Sequence, residues 1–92
     1  MACQNQSSEM ISLADFIKAL HRHHEIEFSL NGHQYFAAPQ TNPPSQTIYA
    51  VLDVVANKWI IEGTIECIIS FRFHEEKTLI NNFSDFCIEY IL

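Results

Sequence analysis

Two alternating segments joined by Asn31-Gly32 constrain the fold of this chain more than any other feature. Apolar and polar residues alternate over residues 25–30 and again over residues 33–38. Asn-Gly is the preferred pair for a two-residue type I′ turn, because both central residues need a positive φ. The sequence therefore predicts a β-hairpin. Its register pairs Leu30 with His33, Phe28 with Tyr35 and Ile26 with Ala37.

This register predicts two chemically different faces for the hairpin. One face carries four large apolar side chains: Ile26, Phe28, Leu30 and Tyr35. The opposite face carries Glu27, Ser29, Gln34 and one exception to its polarity, Phe36. A slip of one residue would turn the apolar set to solvent, so we expect the register to hold.

A helix is predicted before the hairpin. Ser12 is a favoured N-cap residue, and Asp15 supplies an acid three residues later in a capping-box arrangement. A stripe at helical spacing faces the predicted core and continues to the histidines, and we expect the helix to end near His23. The stripe consists of Leu13, Phe16, Ile17, Leu20 and His24.

The rest of the chain predicts further strands and one ambiguous segment. Residues 39–46 hold three prolines and predict an exposed loop. Strands are predicted from Thr47 to about Val54, from Trp59 to Glu62 and from Phe86 to Ile91, where alternation groups Tyr90 with Phe86 and Ile88. Gly63-Thr64 favours a short helix over residues 64–70, although the β-branched isoleucines there also suit a strand. Asn81-Asn82 predicts a polar turn before the last strand.

These elements predict one small α+β domain. The chain has 92 residues, which is enough for a single core. We expect residues 1–10 to be a disordered tail and residues 11–92 to form the domain. Short connections between successive strands predict an antiparallel sheet of about five strands. The N-terminal helix should pack on it in a two-layer sandwich with the order α-β-β-β-β-α-β.

Charge and cysteine content exclude several classes of function. Eleven acidic residues oppose five lysines and arginines, for a net charge of −6. No basic cluster exists, which argues against nucleic acid and anionic membrane as partners. The three cysteines form no CxxC pair. With no signal-peptide pattern and no long apolar run, we expect a cytoplasmic protein.

A resemblance to a known group extends over most of residues 11–92. A helix is followed by Glu25-Ile-Glu-Phe-Ser-Leu-Asn-Gly and Tyr35, then by a tyrosine-bearing strand and Glu62-Gly63-Thr64-Ile65. This order is similar to that of small uncharacterised α+β proteins of Firmicutes and their mobile elements. The resemblance implies a bacterial protein with a compact α+β fold. It implies no activity and assigns no functional residue.

The histidines at the end of the predicted helix form a candidate metal site. His21 and His24 are three residues apart, and Glu25 follows directly. Two imidazoles and a carboxylate could bind Zn²⁺, with His33 or His74 as a fourth ligand. The alternative is structural, because histidine at a helix C-terminus interacts favourably with the last carbonyl groups.

Catalysis is not expected. A nucleophile would have to be Cys87, with Asp85 and a histidine, but nearby carboxylates raise the pKa of a thiol. The chain has no nucleophile elbow, phosphate-binding loop or HExxH motif. We expect Cys67 to be a small buried side chain. No enzyme activity and no cofactor are therefore predicted.

Exposed aromatic residues favour a protein partner. Phe36 and Trp59 would lie on a sheet face that no helix covers, and Tyr90 lies on a strand that suits a sheet edge. Base stacking by these rings would need interleaved lysine or arginine, which is missing. We therefore predict a non-catalytic protein-interaction or regulatory module, with a second copy of the chain as one candidate partner. The alternatives are metal binding at His21, His24 and Glu25, and small-ligand binding.

Overall fold

The computed structural model describes residues 11–41 and 47–92 of the chain. The tail predicted over residues 1–10 lies outside the described residues. Two short 3₁₀ helices, His74–Glu76 and Phe83–Asp85, flank the third α-helix. The other elements in chain order are α1 (Leu13–His21), β1 (Ile26–Leu30), β2 (His33–Thr41), β3 (Thr47–Asp53), β4 (Lys58–Gly63), α2 (Ile65–Ser70), α3 (Leu79–Asn82) and β5 (Phe86–Ile91).

The strands form one antiparallel five-stranded sheet in the order β4-β3-β2-β1-β5. Helices pack on it, so the predicted α+β class is confirmed. The Asn31-Gly32 turn has the two positive φ values of a type I′ turn, 51° and 81°. The register of the first hairpin is also as predicted, with Phe28 opposite Tyr35.

Helix α1 begins and ends at residues that satisfy its free backbone groups. Ser12 and Asp15 form the predicted capping box, in which the Ser12 hydroxyl accepts the Asp15 N–H at 3.1 Å. At the other end, His23 has a φ of 65°. The amide of His23 donates to Leu20 O at 2.9 Å and that of His24 donates to Ala19 O at 3.0 Å. This pair of bonds is a Schellman motif, so the helix stops before His24.

The core lies between the helices and one face of the sheet. The fully buried ring of Phe28 is at its centre, with aromatic neighbours from α1, β2, the segment after α2, and β5. Ring centroids lie 5.5–6.1 Å from that of Phe28 for Tyr35, Phe16, Phe73 and Phe86. Edge-to-face and offset pairs of this kind add to the free energy gained by burial alone.

The segment after β4 confirms one prediction and corrects another. Thr64 caps α2 through its side chain, which accepts the Cys67 N–H, so residues 65–70 are helical rather than extended. The turn predicted at Asn81-Asn82 is wrong, because both residues belong to α3. Leu79 in α3 is fully buried. A helix of only four residues is not stable by itself. Burial of the Leu79 side chain in the core stabilises it here.

Strand β2 is longer than predicted. Residues 39–41 were expected to be loop, but they continue the strand, with Pro39 opposite Tyr49 and Gln40 opposite Ile48 of β3. Pairing with β1 stops at Ala37. Beyond that point the described strands give β2 a neighbour on one side only, and an edge accepts a proline because no second donor is needed. The predicted loop residues 42–46 lie outside the described residues.

The second face of the sheet is covered by none of the described helices. The buried residues of α1, α2 and α3 all belong to the core on the first face. We call the second surface the helix-free face and define it by the residues that alternate with the core positions. They are Glu27 and Ser29 of β1, Gln34, Phe36, Ala38 and Gln40 of β2, Ile48, Ala50 and Leu52 of β3, Trp59 and Glu62 of β4, and Cys87, Glu89 and Tyr90 of β5.

Among the described residues, no helix combines the length and the apolar character needed to cross a lipid bilayer.

Candidate functional site

One continuous row of side chains crosses the helix-free face. Backbone pairing aligns Tyr90 with Glu27, Glu27 with Phe36, Phe36 with Leu52, and Leu52 with Trp59. The row includes one residue from each of the five strands. At an inter-strand spacing of about 4.8 Å, it spans about 19 Å. The three residues expected at an interaction surface, Phe36, Trp59 and Tyr90, are thus brought into one line.

The two ends of this row are exposed. Trp59 is 51% exposed on the edge strand β4, and Tyr90 is 57% exposed on the edge strand β5. Phe36 and Leu52 are half-buried between them. Ala38 and Ala50 lie beside the row and are almost fully buried, although no helix of residues 11–41 or 47–92 covers them. The centre of the face is therefore apolar and recessed, and an exposed aromatic side chain stands at each edge.

A bulge in β5 places Tyr90 on this face. Phe28 pairs with Ile88 and Glu27 pairs with Tyr90, so Glu89 is an extra residue without its own partner in β1. Alternation alone groups Tyr90 with Phe86 and Ile88, and that grouping is wrong, because Phe86 and Ile88 are buried and Tyr90 is exposed. A bulge changes the direction of a side chain in this way. Both Glu89 and Tyr90 consequently lie on the helix-free face.

The Glu89 carboxylate is held in place by two neighbours on the same face. Ser29, which is 5% exposed, donates its hydroxyl proton to Glu89 Oε2 at 2.9 Å. The side-chain amide of Gln34 donates to Oε1 at 3.5 Å. These contacts join β5, β1 and β2 across the surface, and they fix the position of a negative charge.

Two depressions lie on the helix-free face. The first has a volume of about 260 Å³ and combines apolar side chains with two carboxylates. Its lining includes Glu27, Gln34, Phe36, Leu52, Val54 and Glu89. The second has a volume of about 410 Å³ and follows the edge strand β4 past Trp59 to Glu62. The face therefore has shallow depressions that are lined by apolar side chains and bordered by acidic groups.

The charges of this face all have one sign. The chain has five lysines and arginines, and all of them belong to the described residues. They are Lys18 and Arg22 at α1, Lys58 on the helix-covered side of β4, and Arg72 and Lys77 between α2 and α3. In the part of the chain that the structure describes, the helix-free face carries Glu27, Glu62 and Glu89 without a compensating lysine or arginine.

The candidate metal ligands lie where α1 meets β1. His24 is exposed and does not continue the core stripe, because the chain leaves the helix at His23. Its Nδ1 lies 2.6 Å from the carbonyl oxygen of Leu92. The Leu92 amide donates in turn to Glu25 O at 2.8 Å. These bonds attach the end of β5 to the start of β1.

The two further histidines considered as metal ligands lie elsewhere. His33 follows the hairpin turn and its ring lies 6.4 Å from that of His74. Five residues of β1, or about 17 Å of strand, separate that end of the sheet from His24. Residues 11–41 and 47–92 contain no group of three histidine, cysteine or acidic side chains arranged to hold a metal ion. Metal binding at His21, His24 and Glu25 stays a prediction, and calorimetric titration with Zn²⁺ tests it.

A polar cluster that was not predicted from the sequence lies at the hairpin end of the sheet. His33 Nε2 lies 2.8 Å from Asp53 Oδ1. Burial raises the pKa of Tyr35, and the nearby Asp53 charge raises that pKa further. The Ala56 amide lowers the pKa of Asp53, and the His33 side chain contributes to the same shift. The signal available in the sequence was the aspartate at the end of the predicted third strand. Aspartate side chains at such positions accept hydrogen bonds from backbone amides of the following turn.

Cys67 and Cys87 differ in their surroundings. Cys67 was expected to be buried, but it is exposed in the first turn of α2, so that prediction is wrong. Its Sγ lies 3.4 Å from Thr64 Oγ1, and the Thr64 hydroxyl lowers the pKa of the thiol. Cys87 pairs with Ser29 on the helix-free face. Asp85 lies 3.0 Å from the Lys77 ammonium, so it is engaged in an ion pair.

Comparison of the chain with protein-family models, curated proteins and solved structures finds no match in any of the three. A functional assignment therefore depends on the geometry and charge of the helix-free face. Its distinguishing features are the row of side chains across all five strands, the exposed aromatic edges and the uncompensated carboxylates.

Proposed function

We propose that this protein is a non-catalytic protein-binding module and that its partner contacts the helix-free face. The row from Tyr90 through Phe36 to Trp59 carries this proposal. It places aromatic side chains in one line on a sheet face that none of the described helices covers. Aromatic residues are enriched at protein interfaces, where they bury a large area at low cost in side-chain entropy.

The shape of the face supports a protein partner rather than a small molecule. Its depressions are open along the sheet, whereas small-ligand sites are concave enough to bury most of their ligand. Trp59 and Tyr90 stand about 19 Å apart at opposite edges, which suits contact with an extended surface. We place the whole row in the interface, with the half-buried Phe36 and Leu52 at its centre.

A second copy of this chain is one candidate partner. A two-fold interface needs only one self-complementary patch, so an uncovered face can associate with itself. Multi-angle light scattering across a range of protein concentrations measures this directly. A mass of 10.6 kDa at every concentration would exclude the homodimer and leave a different protein as the partner.

Paired capture experiments test the proposal. Wild-type protein and two variants, W59A and I80A, serve as immobilised baits in an extract of the organism that encodes the chain. Ile80 is the matched control, because it is 50% exposed like Trp59 but lies on the helical layer. The proposal predicts at least one protein that is retained by wild type and I80A and lost with W59A, and that binds the purified wild-type chain.

Two results would contradict the proposal. One is loss of the same proteins with I80A as with W59A, which would indicate a general effect on stability or on adhesion. The other is a partner whose retention is unchanged when both Phe36 and Trp59 are replaced by alanine. Thermal unfolding of each variant provides the necessary check that the baits are folded.

A further inference from the structure

We propose that the partner of the helix-free face is a basic protein segment, which inserts an arginine side chain into the 260 Å³ depression between Glu27 and Glu89. This inference rests on the proposed function and names the chemistry of the partner. The depression combines an apolar floor with two carboxylates. An arginine combines an apolar stem with a cationic end, and it commonly packs the stem on apolar surface while the charge stays at a polar margin.

The apolar part of the depression suits the arginine stem. Phe36 and Leu52 are opposite each other on β2 and β3, and both line the depression with Val54. The face of the Phe36 ring is also an attractive neighbour for a guanidinium group. Lysine would satisfy the charge, but its compact ammonium lacks the planar geometry that stacks on a ring.

The polar part is already arranged for a cation. Glu89 receives hydrogen bonds from Ser29 at 2.9 Å and from Gln34 at 3.5 Å, so its carboxylate is positioned before any partner arrives. The bulge in β5 brings Glu89 to this face beside the Glu27–Tyr90 pair. A guanidinium group forms charge-assisted bonds with such carboxylates, and these are stronger than bonds between neutral groups.

The distribution of charge argues against a second copy as the occupant. Contact between two helix-free faces would bring the carboxylates of Glu27, Glu62 and Glu89 from both chains into one interface. No lysine or arginine of the described chain lies on this face to offset them. Like charges placed together at an interface are unfavourable, whereas a basic partner gains from the same arrangement.

Titration with defined peptides tests this inference. A blocked hexa-arginine peptide is added to the full chain, and a blocked hexacitrulline peptide is the uncharged control of the same shape. Trp59 is the only tryptophan, and its fluorescence reports contact with the helix-free face. Amide chemical shifts locate the peptide. We expect shifts at Glu27, Phe36, Leu52 and Glu89 with hexa-arginine and none with hexacitrulline.

Two double variants with equal loss of charge separate a specific site from general attraction to an acidic protein. E27Q/E89Q removes the carboxylates of the depression. E66Q/E76Q removes two exposed carboxylates of the helical layer. We expect E27Q/E89Q to raise the Kd for hexa-arginine about tenfold or more. The control should raise it by no more than about threefold, the effect of reduced net charge.

The outcomes distinguish this inference from the proposed function. Equal effects of the two double variants, or shifts confined to the helical layer, would overturn the arginine site. Equal binding of hexacitrulline, no binding of hexa-arginine, or a dimer formed through the helix-free face would also overturn it. In each of these cases the comparison of W59A with I80A still decides whether the face binds protein. If E27Q/E89Q did not fold, the comparison of the two peptides on the wild-type chain would decide whether the site binds arginine.

Discussion

The imidazole Nε2 of His33 lies 2.8 Å from Oδ1 of Asp53, and this contact joins the start of β2 to the end of β3. Asp53 Oδ1 also accepts the Ala56 N–H at 3.0 Å. The Ala56 bond and then the His33 bond hold the pKa of Asp53 below its ordinary value. The ionised form of Asp53 therefore stabilises the folded state.

This shift predicts a pH-dependent loss of stability. Because the folded pKa is below the unfolded value of about 3.9, the contribution is fully present above that pH and declines as the pH falls through the folded pKa. The difference in free energy of unfolding between wild type and D53N should therefore shrink below about pH 4. Urea denaturation at a series of pH values measures it.

The variant H33Q is the control for this experiment. It removes the imidazole and leaves the Ala56 bond, which is the larger cause of the shift. Most of the pH dependence should therefore remain in H33Q. A difference between wild type and D53N that is constant from neutral to acidic pH would show that the Asp53 contacts do not favour its charged form.

A pair of phenylalanine substitutions tests the assignment of the two sheet faces. Phe28 is fully buried among four aromatic rings, so F28A should lower the free energy of unfolding by about 3–5 kcal/mol. Phe36 is half-buried on the helix-free face, and F36A should cost only about 1 kcal/mol. Chemical denaturation gives both values. Similar losses for the two variants would contradict the assignment.

Glycine substitutions at two histidines near the end of α1 should change the free energy of unfolding in opposite directions. His23 adopts a left-handed φ of 65°, which glycine adopts without strain. H23G should raise the free energy of unfolding by about 0.5–1 kcal/mol. His21 is the last helical residue, so H21G should lower it by a similar amount, about 0.5–1 kcal/mol. Thermal or urea denaturation compares the two, and destabilisation by H23G would refute the role of the Schellman motif.

Cys67 should react faster with an alkylating reagent near neutral pH than an exposed thiol of ordinary pKa. The Thr64 hydroxyl and amide lower the pKa of this exposed thiol. T64A should raise that pKa and slow alkylation, whereas T64S, which keeps the hydroxyl, should react like wild type. Mass spectrometry of the Cys67 peptide after timed iodoacetamide treatment follows the reaction. Equal rates in T64A and wild type would disprove the effect of Thr64.

Elements with strong local signals could be predicted from sequence. The Asn31-Gly32 turn, the alternation on both sides of it and the capping box at Ser12 all appear in the structure as expected. Each depends on residues that are close together in the chain. The turn determines which side chains of β1 and β2 share a face, so the core position of Phe28 followed from local sequence.

Features that depend on distant partners could not be predicted. Burial of Leu79 in the core stabilises helix α3, and no periodic pattern of useful length marks this helix in the sequence. Strand β2 continues through Pro39 because β3, not β1, is its neighbour there. The orientation of Tyr90 depends on a bulge opposite β1. The placement of Phe36 and Trp59 on the helix-free face was predicted. The alignment of the five-residue row and the position of Glu89 depend on the pairing of all five strands, which the sequence does not show.

Pairing with β5 makes β1 an interior strand of the sheet, and without β5 it would be an edge strand. The bonds of His24 and Glu25 with Leu92, together with the pairing along β1, cover the side of β1 that faces away from β2. Detachment of residues 86–92 would leave that row of amides and carbonyls unpaired and uncover Phe86 and Ile88. A chain in that state would offer a template for strand addition, so proteolysis or truncation within this segment should promote aggregation.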